Sequence, residues 1–186
     1  TGDVLPATLD IRAPRSLALR YGENPHQSAA LYATGSAGIA GARQLHGKEL
    51  SYNNLVDLDA AWQLVREFEA AASAIIKHTN PCGCAEGATQ AESYRRAFEA
   101  DPISAFGGVL AFNRAVDGET AAEIAKTFIE AIAAPGYSDD ALRILREKKN
   151  LRLLQVASAP AELVVKSISG GFLAQTPDVH HLSPEE

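Results

Sequence analysis

The stretch Ala74-Ile75-Ile76-Lys77-His78-Thr79-Asn80-Pro81-Cys82-Gly83 sets an apolar triplet against a cation, an imidazole and two residues that break regular structure. The triplet predicts a short buried strand, and Pro81 and Gly83 predict its end. Lys77 and His78 then stand at the strand's carboxyl end, the edge where ligand crevices form in open α/β sheets. Upstream, Leu55, Leu58, Trp62, Val65 and Phe68 recur at three- and four-residue spacings, which predicts a helix capped by Asn53 or Asn54 and ending near Ala70. Downstream comes a helix over 88–100 stopped by Asp101-Pro102, then a buried strand over 105–112 opened by Gly107-Gly108. A third helix over 117–133 carries Ile124, Phe128 and Ile132 on one face, with Pro135-Gly136 after its end. Ser138 caps a fourth that runs to about Lys148, a strand covers 151–156, and 164–175 reads as a hairpin turning at Gly170-Gly171. Helices alternating with short apolar strands predict an α/β layered domain with some parallel pairing, and the last hairpin predicts a mixed sheet.

Toward the amino end, residues 1–17 carry two prolines and suit an extended linker from a preceding domain. Residues 28–32 form a short strand, and 35–41 a loop of small residues. Of 186 residues 46% are hydrophobic and 22% charged, enough apolar material for one or two compact units. The 17 Lys+Arg against 23 Asp+Glu give a formal charge of -6, which disfavours loose binding to nucleic acid or anionic membrane and leaves room for a local anion site. No apolar run approaches the roughly 20 residues that span a bilayer, and the polar start has no signal-peptide centre, so an intracellular, cytoplasmic protein is expected. Cys82 and Cys84 are the only cysteines and are read as reduced thiols. No methionine occurs, which predicts a fragment or a processed chain.

Three segments carry candidate chemistry. Histidine titrates nearest neutrality, and an adjacent lysine can hold charge developing on a reacting oxygen or leaving nitrogen, so Lys77-His78 suits an acyl transfer. The same pair also fits a surface charge beside a loop histidine. The segment Leu19-Arg20-Tyr21-Gly22-Glu23-Asn24-Pro25-His26-Gln27 packs a cation, an aromatic face and amides into a sculpted loop, since Asn24 precedes proline and Gly22 can take positive φ. Arg20 suits a phosphate and Tyr21 a heterocycle, although such loops are often self-bonded turns. Gly107 and Gly108 would let a ligand reach backbone N–H groups, or would simply pack against a helix. Glu130 falls on the third helix, where solvation is the ordinary fate of a glutamate. Cys82-Gly83-Cys84 near His78 is the metal alternative: zinc nucleobase deaminases carry H-x-E followed by P-C-x-x-C. Here Asn80 stands in place of the glutamate, and one residue separates the cysteines instead of two. His180-His181 reads as a solvated tail.

Several blocks now fall into one order: Leu19 to Gln27, Asn54-Leu55-x-Asp57-x-x-x-Ala61-Trp62, Lys77-His78-x-Asn80-Pro81-Cys82-Gly83, Ser104-x-Phe106-Gly107-Gly108 and Ala134-Pro135-Gly136-Tyr137. Together they resemble the bifunctional purine-biosynthesis family that joins AICAR transformylase to IMP cyclohydrolase. The resemblance implies a formyl transfer from 10-formyltetrahydrofolate to the 5-amino group of AICAR, followed by closure to IMP, in a cytoplasmic homodimer. It also implies a three-layer cytidine-deaminase-like subdomain, a mixed sheet flanked by helices, without the deaminase zinc or any other metal. On it, residues 1–17 would link to an absent cyclohydrolase domain, and 18–186 would be the first part of the transformylase domain, poorly active alone. Position by position, His78 matches the proton acceptor and Lys77 the residue that stabilises the transition state. Arg20, Tyr21, Asn54 and Gly107 match substrate contacts, and Glu130 stands where some members have aspartate. A non-catalytic purine-ribonucleotide-binding module and a zinc deaminase relative are the competing readings.

Overall fold

A computed structural model of the chain describes residues 5–158 and 163–179. It divides into two compact units, one over Ala13–Ser158 and the other taking the two ends, Thr1–Arg12 and Ala159–Glu186. His180-His181 lies outside the described residues.

The larger unit begins with β1 (Arg15–Leu19) and β2 (Ala29–Tyr32), an antiparallel pair that takes in the last residues read above as linker. Its main sheet has six strands in the order β3 (Arg43–His46), β8 (Arg152–Gln155), β7 (Ala131–Ala134), β6 (Val109–Phe112), β4 (Ala71–Lys77) and β5 (Asn80–Gly87). β6, β7 and β8 are mutually parallel, while β3 runs against β8, β4 against β6 and β5 against β4. The sheet is therefore mixed because of its flanks. The hairpin that predicted a mixed sheet, β9 (Val164–Ile168) with β10 (Gly171–Gln175), forms a separate two-stranded sheet in the other unit.

β6 and β7 are buried along their whole length and β4 up to Ile76, as continuous apolar runs covered on both faces should be. Successive side chains alternate between two cores. Ile75, Leu110, Phe112, Ile132 and Leu153 pack with α2 (Gln90–Ala100), α4 (Gly118–Ile124) and α5 (Asp139–Leu145) through Tyr94, Ala97, Ile124 and Leu145. Ile76, Val109, Ala111, Ala133 and Leu154 pack with α1 (Tyr52–Val65) through Leu55, Leu58, Ala61 and Trp62. A single turn, α3 (Pro102–Ala105), precedes β6, so the strand read over 105–112 starts only at Val109. Together with it the described residues hold five helices.

Three further expectations need correcting. α1 is capped by Ser51 and ends at Val65, so Phe68 is not on its stripe; Asn54 is instead the third residue of a reciprocal capping box. The third helix stops at Ile124, and 131–134 form β7, because the run Ala131-Ile132-Ala133-Ala134 is apolar on both faces and fills the gap between two parallel neighbours. Pro81 and Gly83 do not end regular structure either. β5 is the sheet's edge strand, where a residue without an N–H is tolerated, and a Cβ on Gly83 would run into the Ala97 carbonyl oxygen of α2.

Candidate functional site

β4 passes into β5 through the two-residue turn His78-Thr79, with φ 54 and 61. Left-handed backbone at both central positions matches the twist of a two-stranded hairpin and is ordinarily supplied by Asn-Gly. Here neither residue is glycine and Thr79 is β-branched, so the turn is intrinsically strained. It is held from α1, where Asp57 Oδ2 accepts the His78 N–H at 3.2 Å and Oδ1 the Thr79 N–H at 2.7 Å. The His78 carbonyl accepts from Thr79 Oγ1 at 2.7 Å and Asn80 Nδ2 at 2.8 Å. The backbone of His78 is thus fixed on both sides, and the residue lines a cleft of about 280 Å3 with Glu23, Tyr52, Asn53, Asp57 and Thr79.

Lys77 Nζ donates to the Phe106 carbonyl at 2.9 Å, which ties the ammonium to the turn before β6. Gly107 follows with φ 75, a conformation that favours glycine; the space itself is open, since a Cβ would meet only the Phe128 ring at 3.6 Å. The N–H groups of Gly107 and Gly108 are already given to the carbonyls of Phe128 and Ala105, so they are not the ligand donors expected from the sequence. Glu130 lies just ahead of β7, not on a helix, and its carboxylate accepts Asn54 Nδ2 at 2.9 Å. Asn54 Oδ1 meanwhile accepts the Ser51 N–H at 3.2 Å, so this buried amide serves the helix cap and the tie to Glu130 together.

Arg20 and Tyr21 follow β1, with the guanidinium 5.9 Å from the Tyr21 ring centroid. The next residues are a self-bonded turn: Gly22 N–H donates to the Gln27 carbonyl and the Asn24 N–H to Gln27 Oε1, at 2.9 and 2.8 Å. Gly22 has no positive φ; it is buried, and a Cβ there would stand 3.0 Å from Gln27 Cβ. Arg20 and Tyr21 line a second cleft of about 270 Å3 with Lys48, Glu49, Leu50, Ser51 and Arg152. Three cations against one acidic residue, Glu49, on a cleft beside the first turn of a helix suit an anionic group such as a phosphate. Lys48 and Arg152 carried no local signal in the sequence. They meet only because β8 begins at Arg152, whose Nε donates to the Glu49 carbonyl at 2.9 Å.

The two clefts adjoin at the start of α1, Ser51 lining one and Tyr52 and Asn53 the other. Lys77, Gly107 and Glu130 fall along one edge of the main sheet, with His78 in the turn beyond it and Asn54 bonded to Glu130, while Arg20 and Tyr21 meet that edge through the cleft they share with Arg152. Of the seven expected residues Arg20, Tyr21 and His78 line these two clefts and the other four do not, and the direction of the edge differs from the expectation. Lys77 ends β4, yet β4 is antiparallel to β6, so Ile76 pairs with Val109, Val109 with Ala131 and Ala131 with Arg152. The edge is the amino edge of the three parallel strands. The sequence reading also missed Asp57 as the residue that holds the turn, although it stands in the quoted block.

The cysteine pair is not placed to share a metal. A register shift between Ile75 and Ile76 inserts Cys82 as an extra residue in β5, so Cys82 packs with the core of Tyr94 and Cys84 with that of Trp62, on opposite faces. Burial raises both thiols above their usual value, with Asp101 adding to the effect at Cys82 and Glu86 at Cys84. Among the described residues no group of three His, Cys, Asp or Glu side chains is arranged to hold a metal, and no helix is long and apolar enough to cross a membrane.

Comparison with known proteins gives a family and relatives within it. Residues 2–186 match the family model of the AICARFT/IMPCHase bienzyme. The chain is 55% identical over 186 residues to the bifunctional purine biosynthesis protein PurH of Cyanothece sp., an alignment covering 97% of this chain and 36% of that protein. The chain thus spans about a third of the length of this curated relative. A solved structure from Desulfotalea psychrophila, described as a formate dehydrogenase accessory protein, aligns with TM-score 0.40 and 10% identity over 48% of this chain and 45% of its own, too little to carry an argument.

Proposed function

The chain belongs to the AICARFT/IMPCHase bienzyme family, and from that premise we propose that it carries the proton-handling pair and part of the nucleotide site of a formyl transfer. In the full-length protein, 10-formyltetrahydrofolate gives its formyl group to the 5-amino group of AICAR, and the cyclohydrolase part closes the product to IMP. Residues 18–186 are read as the first part of the transformylase domain, a three-layer cytidine-deaminase-like subdomain, with 1–17 leading in from the cyclohydrolase part. The remaining substrate contacts belong to the rest of the protein, which we take to be a cytoplasmic homodimer.

An aromatic amine is a weak nucleophile. His78 is the group to take its proton as the new C–N bond forms, leaving a tetrahedral carbon bearing an oxyanion. Lys77 uses one of its three N–H groups on the Phe106 carbonyl, which leaves two for the oxyanion or for the folate nitrogen when its bond to that carbon breaks. Arg20, with Lys48 and Arg152 beside it, is the phosphate end of the site, with Tyr21 stacking on the nucleotide. Asn54, Gly107 and Glu130 shape the edge between the phosphate and the reacting amine.

The observation that carries this reading is the presentation of an ammonium and an imidazole on consecutive residues, at the sheet edge that also bears a three-cation cleft. Replacing His78 by alanine in the full-length enzyme tests it. The turnover should fall by about 10²- to 10⁴-fold, as expected for loss of a general base, with little change in AICAR affinity. A variant that keeps its rate would leave only a binding module.

A further inference from the structure

We propose that Asp57 is the positioning residue for His78: by accepting both N–H groups of the turn, its carboxylate holds a left-handed backbone that neither turn residue favours, and so sets where the imidazole stands. The proposal rests on reading His78 as the proton acceptor. Its observations are independent of that reading. His78 and Thr79 both have φ near 60 without being glycine, and the two oxygens of one carboxylate take one N–H each. Bonds to an ionised acceptor are among the stronger ones, and two of them converging on consecutive amides fix the peptide planes on both sides of His78.

The clamp is mounted on a rigid element. Asp57 lies between Leu55 and Leu58 on α1, both of them in the core that α1 forms with β4, β6 and β7. Both amides of the turn donate to this one carboxylate. Without the carboxylate the turn would relax toward unprimed types whose twist opposes that of the hairpin. The Cα–Cβ direction of His78 would swing with it, and displacement of a catalytic group by about 1 Å can cost on the order of 10²-fold in rate. Lys77, tied independently to Phe106, would stay behind.

The test is steady-state kinetics of the full-length enzyme with Asp57→Ala, Asp57→Asn, His78→Ala, Thr79→Gly and the double variants Asp57→Ala/Thr79→Gly and Asp57→Ala/His78→Ala. Asp57→Ala should lower kcat by about 10- to 100-fold with a much smaller change in the KM for AICAR. Asp57→Asn, which keeps one acceptor oxygen, should fall between it and wild type. Glycine adopts the left-handed turn unaided, so Asp57→Ala/Thr79→Gly should recover most of the loss relative to Thr79→Gly alone. Because Asp57 acts only through His78, Asp57→Ala/His78→Ala should be no slower than His78→Ala. An unchanged kcat in Asp57→Ala beside a collapsed His78→Ala overturns the proposal alone. So does a loss that glycine does not rescue, or one that persists in full on the His78→Ala background. A wild-type rate in His78→Ala overturns the reading of the site, and this proposal with it.

Discussion

Two glycines show how one substitution takes opposite signs. At Gly83 a Cβ would run into the Ala97 carbonyl, so Gly83→Ala must push α2 off the edge strand. It should cost about 1–3 kcal/mol, read as a lower urea midpoint. At Gly35 nothing stands within 4 Å and φ is not positive, so Gly35→Ala should be neutral or gain about 0.4–1 kcal/mol by stiffening the unfolded chain. The Tyr137 hydroxyl, pushed well above its usual range by burial, lies 3.0 Å from the carbonyls of both Ile132 and Leu154. Tyr137→Phe removes the donor from that junction of β7 and β8 and should cost about 1 kcal/mol in the same measurement. None of these partners is a sequence neighbour of the residue it constrains.

The start of α1 joins stability to the site. Ser51 Oγ accepts the Asn54 N–H at 3.1 Å, and Ser51→Ala should cost about 1 kcal/mol of unfolding free energy. Asn54→Ala should cost more, because it removes the reciprocal cap bond and also the 2.9 Å bond to Glu130. Each of these bonds contributes about 1 kcal/mol, and the Glu130 carboxylate loses a partner besides. Equal losses from the two substitutions, compared by urea unfolding, would mean that the Glu130 tie contributes nothing.

For the molecule as a whole, the acid limb of stability has an identifiable contributor. Ser104, through its side chain and its N–H, holds the Asp101 carboxyl below the 3.8 of a free aspartate. A lowered folded-state value means that this stabilisation is present above 3.8 and disappears as pH falls through the folded value. Asp101→Asn can still cap α3, so its urea midpoint should fall less steeply than that of wild type between pH 5 and about 2.5. Parallel slopes would remove Asp101 from the account. The 186 residues alone, purified and given AICAR and 10-formyltetrahydrofolate, should show little or no transfer; turnover at the rate of the complete enzyme would place the whole site in this segment.

The sequence by itself determined the elements whose cause is local: the apolar stripe of α1, the cap at Ser138, the Val164 to Gln175 hairpin, and the Lys77-His78 pair at the end of a buried strand. Burial and capping are written in spacing, and spacing can be read. Only the tertiary structure decided that Ala131 to Ala134 is a strand, since a short apolar run fits either period until parallel neighbours on both sides take its hydrogen bonds. It alone turned β4 against β6, which sends Lys77 to the amino edge of the parallel strands, and brought Lys48 to Arg152 and Asp57 beneath the His78-Thr79 turn. Those contacts join residues 21 or more positions apart, and no local periodicity encodes which distant carboxylate will meet which pair of amides.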